Sequence, residues 1–116
     1  MENTRYKIAV ISDVHGNLPA LQAALKSITS KNCDIIYHLG DAVAIGPYPG
    51  ECLKILFAQS NLKLVMGNHD HWFAYGLPTP VPDWMSKGEI IHHRWLEKVV
   101  DDNLREEVAD FPYVIK

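Results

Sequence analysis

An α/β fold built on a parallel sheet is what this sequence predicts, and three observations predict it. Residues 7–11, 34–39 and 62–66 are short apolar runs rich in β-branched side chains, the pattern of strands covered on both faces. Between them lie stretches whose apolar residues recur at three and four positions, as crossover helices require. Each run also ends directly on a polar motif: Asp13-Val14-His15, Gly40-Asp41 and Gly67-Asn68-His69-Asp70. Asp13 and Asp41 are 28 positions apart, and Asp41 and Asn68 are 27 apart, close to the ~30 residues of one βαβ unit.

The first run, K-I-A-V-I, is the first strand. After its polar turn, Asn17 is placed to cap a helix carrying Leu18, Leu21, Ala24, Leu25 and Ile28, with Pro19 tolerated in the first turn. The second run ends at Gly40, and the turn-rich Gly46-Pro47-Tyr48-Pro49-Gly50 leads into a helix bearing Cys52, Leu53, Leu56 and Phe57. The third run ends at Gly67. Residues 76–83 then hold three prolines, which remove ladder donors and predict an irregular loop over the site. Trp72, Phe73, Tyr75 and Trp84 cluster around that loop and are expected to anchor it to the core rather than to stack a nucleobase. Ser86 and Glu89 have capping-box spacing, with Ile90, Ile91, Trp95 and Val99 as the apolar stripe of the helix behind them. A short helix starting at Asp101 or Asp102 is expected to bury Leu104 and Val108 and to stop before Pro112, followed by the start of another strand at 113–115.

At 116 residues the chain is expected to be a single domain with one modest core. A formal charge of -3, scattered along the chain, argues against a nucleic-acid surface. No apolar run approaches the ~20 residues of a membrane span, and the start Met1-Glu2-Asn3-Thr4-Arg5 lacks a signal peptide's apolar core, so a cytoplasmic location is expected. Cys33 and Cys52 are too few and too far apart for a metal knuckle or a disulfide framework and are read as reduced thiols. Neither G-x-G-x-x-G nor G-x-x-x-x-G-K-[ST] occurs, which counts against a simple nucleotide-binding domain.

An open α/β sheet places its ligand site at the carboxyl ends of its strands, so the three motifs are expected to meet in space. Their carboxylates, imidazoles and amide form a mixed nitrogen and oxygen donor set suited to Mn, Zn, Fe(II), Co or Ni. Two such ions held ~3.5 to 4 Å apart can align a hydroxide nucleophile with a phosphoryl group. Asp41, at the middle tip, is the bridging candidate; Asp13 and His15 can grip one metal, and Asn68 offers an oxygen to the other. His69 is better placed beside the metals, donating to a phosphoryl oxygen or a leaving alkoxide, with Asp70 holding its imidazole. His38 reads as a strand-packing residue, His71 as a loop residue, and His92 and His93 as a solvated helix face.

These motifs resemble those of the calcineurin-like metallophosphoesterases, which run D-x-H, G-D, G-N-H-[DE], an isolated His and G-H-x-H. The words Gly16-Asn17-Leu18-Pro19-Ala20-Leu21 and Gly46-Pro47-Tyr48-Pro49 are similar to the small bacterial and archaeal branch related to symmetrical dinucleoside tetraphosphatases. The resemblance implies a divalent-metal-dependent phosphoesterase with two metals in a complete site: Asp13 and His15 on the first, Asp41 bridging, Asn68 on the second and His69 on the phosphate. It also implies the parallel-stranded half of a β-sandwich flanked by helices, with the second half missing, because the isolated His and G-H-x-H of the later motifs do not occur here. A shortened domain of this kind is expected to leave a sheet face or edge uncovered and to associate with copies of itself. The alternative function is a non-catalytic metal- or phosphate-binding remnant that serves as an assembly module.

Overall fold

A computed structural model describes residues 5–116; residues 1–4, and with them all but Arg5 of the polar start Met1-Glu2-Asn3-Thr4-Arg5, lie outside the described residues. Three strands form as expected: β1 (Ile8–Ile11), β2 (Ile35–His38) and β3 (Leu62–Leu64), parallel and in the order β1-β2-β3. Ile11 pairs with His38, and His38 with Leu64, so the three carboxyl ends stand level. The third strand is shorter than its apolar run because the Met66 amide leaves the ladder and donates to the carbonyl of Pro112 at 2.7 Å.

Period-two alternation decides which side of the sheet is covered. Ile36 and His38 are buried, and Ile11, Leu62 and Leu64 pack against the core beside them. On the opposite face Ile8 and Val10 are 52% and 59% exposed. Coverage on both faces, expected from the apolar runs, is therefore not found among the described residues; the sheet is open on one side, as the resemblance implied.

Helix α1 (Leu18–Ser30) begins where expected, with Asn17 Oδ1 accepting from the Ala20 amide at 3.2 Å. It ends in a Schellman motif: left-handed Asn32 donates to Thr29, and Cys33 to Ile28. Helix α2 (Pro49–Ala58) starts on the proline that suits a first turn and buries Cys52, Leu53 and Leu56. Burial raises the Cys52 thiol to about 11, which keeps it protonated.

Helix α3 (Asn68–Tyr75) corrects the reading of His71 as a loop residue. Its first turn is the G-N-H-D motif itself, and its Phe73 enters the core. Helix α4 (Lys87–Val99) has the expected capping box, with Ser86 Oγ accepting from Glu89 N and Glu89 Oε2 accepting from Ser86 N, both at 3.1 Å. Its buried face is not the expected one, however. His93, Leu96 and Val100 point inward, while Ile91 and Val99 are exposed. Helix α5 (Asp102–Ala109) is capped by Asp101 and buries Val108, with Leu104 packed alongside. Residues 113–115 are irregular rather than a strand.

Leu21, Leu53, Leu56, Phe73, Leu96 and Val108 converge on the fully buried loop Ala42-Val43-Ala44. That loop directly follows Asp41, so core packing fixes the middle strand tip. Among the described residues no helix is long and apolar enough to cross a membrane.

Candidate metal centre

Backbone bonds sew the loops after β1 and β2 together: Asp13 N donates to Gly40 O, His15 N to Asp41 O and Gly16 N to Ala42 O, each at 3.0 Å. The third tip joins them through glycines. Gly40 is left-handed at φ 112°, and a Cβ there would lie 2.8 Å from Gly67 Cα. A methyl group on Gly67 would overlap the main chain and carboxylate of Asp41. Only hydrogen atoms at both positions let the tips approach this closely.

One donor atom each from Asp13, His15 and Asp41 lie within 4.8 Å of one another. His15 Nδ1 faces the Val43 carbonyl at 3.1 Å; a carbonyl only accepts, so that nitrogen carries the proton. When the imidazole is neutral its Nε2 is then unprotonated and faces Asp13 Oδ1 at 3.2 Å, lone pair against carboxylate. A cation seated between them resolves that opposition, and an imidazole held by a carbonyl on its far nitrogen is the usual form of a histidine metal ligand. The residues present thus fit a divalent ion. The Ser12 hydroxyl donates to Asp13 and holds its carboxyl below the ordinary carboxylate range despite some desolvation.

The backbone is strained at these same residues. Asp13, His15 and Asp41 have φ of 56°, 47° and 62°, and Ala44 and Ile45 follow at 74° and 73°. Each costs roughly 1 to 2 kcal/mol for a residue bearing a Cβ. Such strain concentrates where geometry serves function.

Asn68 opens α3 and is exposed, between Gly67, which abuts Asp41, and His69, whose amide donates to Asp41 Oδ1 at 3.0 Å. The His69 ring lies edge-on to His15 with centroids 5.4 Å apart, bringing it to the border of the centre.

Asp70 does something other than expected. It is fully buried, and its two oxygens accept from the amides of Asp41 (2.8 Å), Ala42 (2.9 Å), Val43 (3.4 Å) and Gly67 (3.0 Å). Its carboxylate locks the second tip to the third and is spent on backbone rather than on the His69 imidazole. His69 Nδ1 instead meets His93 Nε2 at 2.9 Å, with the rings 7° from parallel.

Reading His92 and His93 as a solvated face is corrected by that contact. His93 is 2% exposed, and burial first, then neighbouring His69 and His92, lower its pKa to about 4. His92 Nε2 accepts from the amide of left-handed Ile45 at 2.6 Å. The available signal was the spacing of His93, Leu96 and Val100 at three and four, which puts His93 on the stripe that enters the core. His38 packs under the sheet as expected, its Nδ1 accepting from Gly40 N at 3.2 Å, and burial lowers its pKa to about 4.

A cleft of about 380 Å³ opens beside the centre, lined by Asp13, His15, Asn17, Ile45, Pro47 and Tyr48. On the other side Trp72 stands 5.0 Å from His69 and 6.0 Å from Trp84. Of the aromatic cluster, Phe73 anchors in the core and Tyr75 donates to Ala109 O at 2.6 Å, while Trp84 remains 69% exposed.

An uncharacterised protein of Methanocaldococcus jannaschii is 36% identical over 110 residues, which are 94% of this chain and 43% of that protein. A symmetrical bis(5'-nucleosyl)-tetraphosphatase of Proteus mirabilis is 41% identical over 63 residues, 53% of this chain and 23% of that enzyme. The crystal structure of a metallophosphoesterase from Sphaerobacter thermophilus superposes with a TM-score of 0.76 at 29% identity, covering 97% of this chain and 44% of that one. The chain thus spans less than half the length of these relatives. A profile of the calcineurin-like phosphoesterases matches residues 6–113, and with the three motifs converging at the strand tips, this chain belongs to the calcineurin-like phosphoesterase family.

Proposed function

We propose that this chain hydrolyses phosphomonoesters or phosphodiesters with the help of divalent metal. The observation that carries this reading is the convergence of Asp13, His15 and Asp41 within 4.8 Å, on strained backbone, at neighbouring strand ends. Asp13 and His15 would hold one ion, Asp41 would bridge, and Asn68 would offer its oxygen to a second; the donor set suits Mn, Zn, Fe(II), Co or Ni. Bound metal supplies a nucleophile active at neutral pH and neutralises phosphoryl charge. His69, tied to Asp41 through its amide and facing the centre, donates to the phosphoryl or leaving oxygen. Asp70 serves the reaction by fixing the loops. The reading places the protein in the cytoplasm.

Turnover of a chromogenic phosphodiester with Mn, alongside elemental analysis, tests this. Expected are two metals per chain and hydrolysis that drops at least about a hundredfold in Asp41→Asn. Background turnover with one metal or none would favour the non-catalytic metal- or phosphate-binding remnant instead.

The open sheet face with exposed Ile8 and Val10 supports a homo-oligomer that buries it. Light scattering should then give a mass above that of one chain, and Val10→Lys should shift it toward the monomer. A monomeric mass at all concentrations would remove this assignment.

A further inference from the structure

Two imidazole nitrogens face each other at 2.9 Å between His69 Nδ1 and His93 Nε2, so one carries the proton and the other accepts it. Two pairings satisfy that contact, and they leave opposite groups on the nitrogen of His69 that remains. If His69 Nδ1 is the donor, its Nε2 is a bare lone pair. If His93 Nε2 is the donor, His69 keeps its own proton on Nε2.

The surroundings of His93 choose between them. Its Nδ1 is buried and has no hydrogen-bond partner. A proton there would be a buried N–H without an acceptor, a rare arrangement in folded proteins. Burial and two neighbouring imidazoles also keep His93 neutral, with a single proton to place. Placing it on Nε2 is the only neutral form that leaves no N–H orphaned.

We propose that His93 is a positioning residue: from helix α4 it donates Nε2–H to His69 Nδ1, and so holds His69 with its proton on Nε2. The surrounding contacts fix the ring as well as the proton. The His93 and His69 rings lie 7° from parallel with centroids 5.2 Å apart and meet through their nitrogens, and Trp72 lies edge-on to both rings at 5.0 and 5.8 Å, so the imidazole has little room to flip. His69 is thereby preset as a donor toward an anionic oxygen. The group that orients it comes from a helix 24 positions further along the chain, and not from the adjacent Asp70. The catalytic meaning of this preset donor rests on the phosphoesterase reading; the tautomer itself does not.

Long-range 1H–15N correlation spectra of the full chain labelled at histidine report each ring's protonated nitrogen directly. His69 and His93 should both show the Nε2–H pattern at neutral pH. In His93→Leu the His69 signal should move to an averaged tautomer pattern. Mn-dependent kcat should fall about tenfold with KM little changed, and His93→Gln, whose amide N–H can replace the donor, should recover part of both. An Nδ1–H pattern for His69 in the unmodified chain would overturn the proposal, as would an unchanged His69 tautomer in folded His93→Leu. Should His93→Leu fail to fold, the spectrum of the unmodified chain decides alone. Absence of turnover in that unmodified chain would remove the phosphoesterase reading while leaving the tautomer result standing.

Discussion

Asp70 shows how one side chain can matter to a metal centre without touching the metal. Its carboxylate is the acceptor for four backbone amides, from Asp41, Ala42, Val43 and Gly67, and these include the residue proposed to bridge the ions. Asp70→Ala leaves buried donors without partners, at about 1–3 kcal/mol for each one that water cannot reach. A total loss of about 3 kcal/mol or more is therefore expected, together with weakened Mn binding, because Asp41 loses its tether. Chemical denaturation and calorimetric titration of Mn check this pair of effects. Lost turnover with unchanged stability and metal affinity would instead put Asp70 in direct contact with the reaction. Asp13, His15 and Asp41 were legible in the sequence because ligand chemistry at a strand's end is a local pattern. The partners of Asp70 were not, since they lie up to 29 positions away and are main-chain groups that no sequence pattern marks. His93 was hidden for a related reason: a histidine beside another histidine on an amphipathic helix reads as polar surface until its partner's position is known.

At the scale of elements, whatever depended on neighbours in the chain was readable. The caps at Asn17 and Ser86 formed with the bonds their spacing implies, α5 starts where expected at Asp102, and the three strands lie where β-branched runs predicted them. Helix α3 escaped because its first turn is built from Gly67 and Asn68, a pair that signals a turn when read alone. Its Gly67 amide is satisfied by Asp70 Oδ2, so a side chain with a tertiary role also starts the helix. The misjudged face of α4 has the same origin. Ile90, Ile91, Trp95 and Val99 make a plausible apolar stripe, but the helix turns Leu96 and Val100 into the core, and His93 on that same stripe meets a polar partner on α3. Trp95 is left to stack on His92 at 5.4 Å at the margin of the core. Hydrophobic periodicity locates the helix; which of its two stripes is buried depends on what α3 and the core present to it. The expected strand at 113–115 is replaced by one ladder-like bond from Met66 to Pro112, and His71 Nδ1 beside the Tyr113 hydroxyl at 2.7 Å holds that segment against α3.

For the whole molecule, burying two neutral histidines in a small domain gives stability a definite dependence on acid. His38 and His93 lie under the sheet and behind the candidate centre, each with a pKa lowered from 6.5 to about 4. Desolvation is the leading cause for both, so folding excludes the charged form. Above pH 6.5 both are neutral whether the chain is folded or not, and their environment imposes no pH-linked cost. As pH falls below 6.5 the unfolded chain takes up a proton at each, while the folded chain resists until about pH 4. The unfolded state binds more protons across that interval, so stability declines with falling pH and levels off below it. At 1.36 kcal/mol per pKa unit, the loss approaches about 3 kcal/mol for each histidine by pH 4, and about 2 kcal/mol for each by pH 5. A domain of this size is stable by only about 5–15 kcal/mol, so two such losses are a large share. Urea midpoints measured from pH 7.5 down to pH 4.5 should fall steeply, and the slope should lessen by about one proton in His93→Gln, which packs a group that cannot charge. Equal midpoints at pH 7 and pH 5 would show that these imidazoles accept protons as readily in the folded chain as outside it, and the neutral contact between His93 and His69 would lose its physical basis.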